Sequence, residues 1–190
     1  MILLIVLLAM ALVVFVYFVG IYNSLVALRE RVKQAWANID VLLKQRHDEL
    51  PKLVDACKQY MQYEQLTLEK VMQARSAVFQ AREGGNVAAV GAAEQQLRGD
   101  IGRLFAVVEN YPQLKTDESF KQLQARITGL EEAIADRREL YNDQVNINNT
   151  RIEQFPDVLI ARRYGFTAKP LLEFAAAEKT DVDVGALFKH

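Results

Sequence analysis

No side chain carries a charge before Arg29. Residues 1–20 read MILLIVLLAMALVVFVYFVG, and residues 21–28 add only Tyr22, Asn23 and Ser24 as polar groups. About 20 apolar residues rising ~1.5 Å each span roughly 30 Å, the hydrocarbon thickness of a bilayer. A helix is the one open segment that satisfies its own backbone in lipid. Tyr17 and Tyr22 lie near the far end of the run, where aromatic rings favour the interface. A cleaved signal peptide wants a basic start, a shorter apolar run and a small-x-small cleavage site. This run has no basic start, exceeds that length and is followed by no convincing site after Gly20. The expectation is an uncleaved anchor over residues 1–22. Arg29, Arg31 and Lys33 follow the span, so the positive-inside rule puts the C-terminal bulk in the cytoplasm. Long domains can translocate regardless of charge, which keeps the periplasmic or extracellular side as the alternative.

The remainder suits one domain. Its net charge of −1 gives no field that would draw nucleic acid. Only 9 Gly and 4 Pro interrupt a chain rich in good helix formers. Cys57 is the sole cysteine, which leaves no intrachain disulfide and no cysteine-based metal cluster. On an apolar helical face it reads as a small core residue.

Apolar residues recurring at threes and fours define four long helical segments. The first continues from the anchor through Leu25, Leu28, Val32, Trp36, Ile39 and Leu43. Pro51 should kink it or start a new helix, with Asp48 as cap. The second carries Leu50, Val54, Cys57, Met61, Leu68, Val71 and Val78, and Gly84 and Gly85 end it. The third carries Val90, Leu97, Ile101, Leu104 and Val108 and ends at Tyr111-Pro112. Gly91, Gly99 and Gly102 inside it cost about 1 kcal/mol each against Ala, which points to close approach of a neighbouring helix. Thr116 or Asp117 caps the fourth, whose stripe is Phe120, Leu123, Ile127, Leu130, Ile134, Tyr141, Val145 and Ile152. It closes at Phe155-Pro156, a short apolar piece over residues 158–161 follows, and no run reads as a strand. The expected fold is all-α: a single N-terminal transmembrane helix followed by an elongated antiparallel bundle of about four long helices.

Few residues offer chemistry. A di-iron bundle needs Glu-x-x-His pairs, and neither His47 nor His190 follows an acid by three residues. His47, in Arg46-His47-Asp48-Glu49 before Pro51, reads as a proton switch or metal ligand, or else as a hydrogen-bonding residue at a helix break. The second reading is favoured, because one His beside acids is a weak ligand set. Cys57 and His47 are ten residues apart with no orienting third group. No phosphate-binding loop, dinucleotide fingerprint or nucleophile elbow is present. Arg137-Arg138 and Arg162-Arg163 could meet phosphates or headgroups, although such pairs are usually solvated or salt-bridged. The second pair lies beside apolar residues, compatible with peripheral membrane contact. Asn148-Asn149-Thr150 matches a glycosylation acceptor, relevant only in a secreted eukaryotic protein. Asn23, Asn38, Asp40, Asn142, Asn146 and Asn149 form a polar thread that could fix helix register if buried.

Tyr22-Asn23-Ser24-Leu25-Val26, Ala35-Trp36, Ile39-Asp40-Val41-Leu42-Leu43-Lys44 and Arg46-His47-Asp48-Glu49-Leu50-Pro51 resemble the LemA family. So do Glu109-Asn110-Tyr111-Pro112 with Leu114-Lys115, Phe120 and Leu123-Gln124, and Tyr141-Asn142 with Val145, Asn149, Ile152 and Phe155-Pro156. The chain departs from the family at Leu42 (commonly Gln), at Tyr63 before Glu64 (commonly His) and at Asn148 (commonly Tyr). The change at Tyr63 weakens any paired-histidine site with His47. The expected organisation is an anchor over 1–22, a LemA-like helical-bundle domain over 23–163 and an irregular tail over 164–190. The resemblance implies a bacterial protein with one N-terminal span and no established enzymatic activity. The motif residues singled out as interface candidates are Trp36, Asp40, Arg46, His47, Asp48, Pro51, Glu109, Tyr111, Pro112, Tyr141, Asn142, Phe155 and Pro156.

The expected function is a membrane-anchored scaffold or interaction protein of the inner membrane. Its expected partners are the lipid bilayer and a second copy of the chain or another membrane protein, with no cofactor, no metal and no nucleic acid. A membrane-tethered sensory module is the first alternative. A membrane-associated enzyme using His47, Asp48 and Glu64 as acid/base groups is the second, and it would require those groups to converge.

Overall fold

The computed structural model describes residues 1–173, and every regular element among them is a helix. These are α1 (Ile2–Lys58), α2 (Gln65–Glu83), α3 (Val87–Val108), α4 (Pro112–Thr116), α5 (Glu118–Glu153) and α6 (Asp157–Tyr164). The fold is all-α with a helical bundle. The part of the expected tail beyond residue 173 lies outside the described residues.

The chain divides into two compact units, and α1 and α5 contribute to both. The first unit comprises Met1–Leu43 and Ala133–Leu171. Its opening stretch is the apolar run, long and apolar enough to cross a membrane, with none of that window buried. Beyond it Ile21 and Leu25 pack with Ile152 of α5 and Ala161 of α6. Trp36 lies 5.6 Å from Tyr141, ring centre to ring centre. With Tyr22 against Tyr164 further back, these contacts make α1 antiparallel to the chain of α5 and α6.

Among the described residues the second unit comprises Lys44–Glu132 with Leu172 and Glu173. One core joins Leu50, Leu53, Val54 and Cys57 of α1, Leu68, Val71 and Val78 of α2, Leu97, Ile101 and Leu104 of α3, and Phe120 and Ile127 of α5. The apolar stripes read from the sequence are buried almost throughout; Trp36, Leu123 and Leu130 are half-buried. Gly85, at φ 64°, makes the left-handed turn between α2 and α3. Asn86 caps α3 by accepting from the Ala89 amide at 3.1 Å. Asp117 caps α5 in the same way, from the Phe120 amide at 2.9 Å.

Three expectations need correction. Pro51 neither breaks α1 nor starts a helix: α1 runs through it to Lys58, and Asp48 lies inside the helix. The break falls at residues 59–64 instead. The third segment ends at Val108, and Pro112 opens the short α4 at its first turn. Of the three glycines in α3, only Gly91 is closely approached, and by the chain at Leu172 and Glu173 rather than by a helix. Gly99 and Gly102 face open space.

Candidate functional site

Three stripes each carry a charged residue where an apolar one belongs. Arg46 falls between Leu43 and Leu50, Glu94 between Val90 and Leu97, and Glu131 between Ile127 and Ile134. Helical periodicity aims each toward the core, and the second unit brings all three together. Arg46 Nη2 donates to Glu94 Oε1, and Arg46 Nη1 donates to Glu131 Oε1 at 2.5 Å. The Arg46 and Glu94 side chains are 1% and 2% exposed. Burial opposes the Arg46 charge, but the two carboxylates outweigh it and hold the guanidinium above its ordinary value. For Glu94, burial and the Glu131 charge prevail over the pull of Arg46 and push the carboxyl up. Glu49, one turn beyond Arg46, has partners of its own: its Oε1 accepts from Lys52 at 3.1 Å and lies 3.0 Å from Arg126 Nη2.

His47 faces α2. Arg75 Nε donates to the His47 carbonyl at 2.8 Å. Proline at position 51 has no amide hydrogen to fill that carbonyl's helical bond, so Arg75 supplies the missing donor. Arg75 Nη2 also lies 2.7 Å from His47 Nε2. A guanidinium can only donate, so Nε2 accepts and the ring is neutral with its hydrogen on Nδ1. Burial and the nearby Arg75 charge lower the His47 pKa, against Asp48. The ring centre lies 4.8 Å from that of Phe79. This arrangement occupies the lone pair that a base or metal ligand would use.

Glu64 does not join His47 and Asp48. It precedes α2, whereas Arg75 lies eleven residues further along, roughly 16 Å of helical rise. Glu64 instead interacts with Tyr111, whose phenol is raised by burial and then by Glu64. Among the described residues no group of three His, Cys, Asp or Glu side chains could hold a metal ion. Cys57 is fully buried, and burial pushes its thiol up to about 12, so it is not a thiolate nucleophile near neutral pH.

The other motif residues have local partners. Trp36 packs on Tyr141, whose hydroxyl donates to the Pro170 carbonyl at 2.9 Å. Asp40 and Asn142 are half-buried and engaged. Glu109 pairs with Lys115 at the surface, and Pro112 starts α4 beside Tyr111. Phe155 is exposed, and Pro156, joined to it by a cis bond, precedes α6. Asn149 holds the segment after α6: its Oδ1 accepts from the Lys169 amide at 2.8 Å and its Nδ2 donates to the Lys169 carbonyl at 2.9 Å.

The LemA family model matches residues 35–185. The chain belongs to the LemA family. Magnetosome protein MamQ 1 of Paramagnetospirillum magneticum is similar to it, 25% identical over 195 residues, covering 89% of this chain and 71% of the relative. MamQ of Magnetospirillum gryphiswaldense is 23% identical over 192 residues, with the same coverage. Protein LemA of Metamycoplasma hominis is 27% identical over 177 residues, covering 91% of this chain and 78% of that one. The matched LemA region contains Arg46, His47, Arg75, Glu94 and Glu131. Arg75, Glu94 and Glu131 escaped the motif reading, although the two acids announce themselves by interrupting an apolar stripe.

Proposed function

We propose that this LemA-family protein is a membrane-anchored scaffold that works by binding protein partners, a second copy of the chain or another membrane protein. In this reading the apolar part of α1 is a single pass through a bacterial inner membrane, with the remaining domain in the cytoplasm. Its charged interior groups hold helices together and serve no reaction. The observation that carries the reading is an apolar span with no buried residue together with an exposed apolar rim on the helical domain. In the second unit Val54, Met61, Leu68 and Met72 line a groove of about 710 Å³. Tyr63, also lining it, and nearby Leu66 are 94% and 74% exposed. Exposed apolar surface around a concavity is typical of protein contact sites.

A photo-crosslinking residue at Leu66 of the full-length protein in native membranes tests the reading. The expected result is a discrete product of fixed mass. A smear that scales only with expression level, or no product, would contradict it.

A further inference from the structure

The junction between the apolar run and α6, within the first unit, has the chemistry of a lipid site. A groove of about 390 Å³ opens there between α1 and α6. Phe15, Phe18 and Val19 form its apolar wall, Ile160 faces them, and Arg163 is the charged side chain on its lining. Phe15 and Val19 are 65% and 41% exposed, on a stretch suited to hydrocarbon.

The level of this groove is marked by aromatic rings. Tyr22 meets Tyr164 edge-on at 4.9 Å and Phe166 at 5.9 Å. Rings of this kind gather at the boundary between headgroups and hydrocarbon. The Arg163 guanidinium lies 5.7 Å from the Tyr164 ring centre, and that of Arg29 lies 5.4 Å from the Phe166 ring centre. Long basic side chains at such a level rest their stems on apolar surface and present the charge to phosphate.

The orientation of α6 is fixed from behind. Ala161 is buried with Ile21, Leu25 and Ile152, and Asp157 accepts from Arg151 Nε at 2.6 Å. Arg162 and Arg163 are therefore left exposed. The acid of α6 is already neutralised, and Glu30 on the adjacent helix is engaged by Arg29 and Lys33. The surplus charge is positive, above an apolar wall.

We propose that this groove binds an anionic phospholipid of the host bilayer, its acyl chain along Phe15, Phe18 and Val19 and its phosphate at Arg163, with Arg162 adjoining. The site rests on the membrane-anchored reading. It makes α6 a second contact with the membrane, beside the span.

The test is native mass spectrometry of the full-length protein, released from detergent with equal amounts of phosphatidylglycerol and phosphatidylcholine. The wild type retains phosphatidylglycerol in preference. A basic residue near an anionic surface is worth roughly fivefold in affinity, so R162Q/R163Q lowers the preference by on the order of 20-fold. R137Q, an exposed arginine of α5, leaves it unchanged. Equal retention of both lipids by the wild type, or an undiminished preference in R162Q/R163Q, overturns the site. Displacement of phosphatidylglycerol by excess inorganic phosphate also overturns it, because the acyl chain would then add nothing. An alkaline carbonate wash of native membranes separates the two claims. Release of the wild type refutes the anchor and the site together, whereas retention without lipid preference refutes the site alone.

Discussion

Arg75 and His47 are joined twice, once at the carbonyl that Pro51 leaves without a helical donor and once at the imidazole Nε2. The first of these bonds explains how α1 passes through a proline without ending. A helix interior normally loses about 3 kcal/mol to proline, part of it through the orphaned carbonyl. A donor from the neighbouring helix removes that part of the cost.

Arg75→Met should therefore destabilise the protein by about 1–3 kcal/mol, the cost of a partly buried acceptor losing its partner. In a Pro51→Ala background, where the residue 51 amide can fill the His47 carbonyl, the same change should cost about 1 kcal/mol less. Urea midpoints of the four proteins in detergent give the coupling. Equal costs in both backgrounds would mean that Arg75 does not replace the missing amide.

Arg46→Met leaves Glu94 and Glu131 facing each other without their cation. A loss of about 3–5 kcal/mol is expected, as for other buried pairs broken on one side. Arg46→Met with Glu94→Gln and Glu131→Gln removes all three charges and should recover most of that loss. Thermal unfolding followed by circular dichroism measures both. Additive losses in the triple variant would contradict a mutually compensating cluster.

The lowered pKa of His47 sets a sign for pH dependence. The unfolded chain takes up the proton near the ordinary value of ~6.5, before the folded one does. The contribution of His47 is therefore complete above that pH, declines as pH falls below it, and levels off beneath the folded pKa. Replacing His47 by Gln should flatten stability across that window, measured as urea midpoints at successive pH values. An unchanged slope would place the titration elsewhere.

Gly91 and Gly99 should respond oppositely to alanine. A methyl at Gly91 would collide with the Glu173 carbonyl oxygen, whereas at Gly99 it meets nothing within 4 Å. Gly99→Ala should stabilise by up to about 1 kcal/mol through helix propensity. Gly91→Ala should destabilise, or release the chain at residue 173 to protease. The melting temperatures of the two variants decide it.

The contrast between these glycines also shows what the sequence could reveal. Leu25, Val54, Leu104 and Val145 follow helical spacing and are buried, because periodic burial is a local property of one helix. The proline rule was equally local, and it failed because Arg75 comes from another helix. Arg46, Glu94 and Glu131 were visible as interruptions of their stripes, but their mutual compensation exists only once three helices meet. Asn149 belongs to the thread that would fix register between helices if buried, whereas its side chain accepts from Asn148 Nδ2 and exchanges two bonds with the backbone of Lys169. Nothing in local spacing marks a partner 20 residues away in an irregular segment.

The mass of the full-length protein, extracted in mild detergent and measured natively over a range of concentrations, tests the scaffold reading most directly. The account predicts a discrete multimer or one stoichiometric complex, disrupted by Y63D/L66D at the rim of the second-unit groove. A bare monomer at every concentration would contradict it.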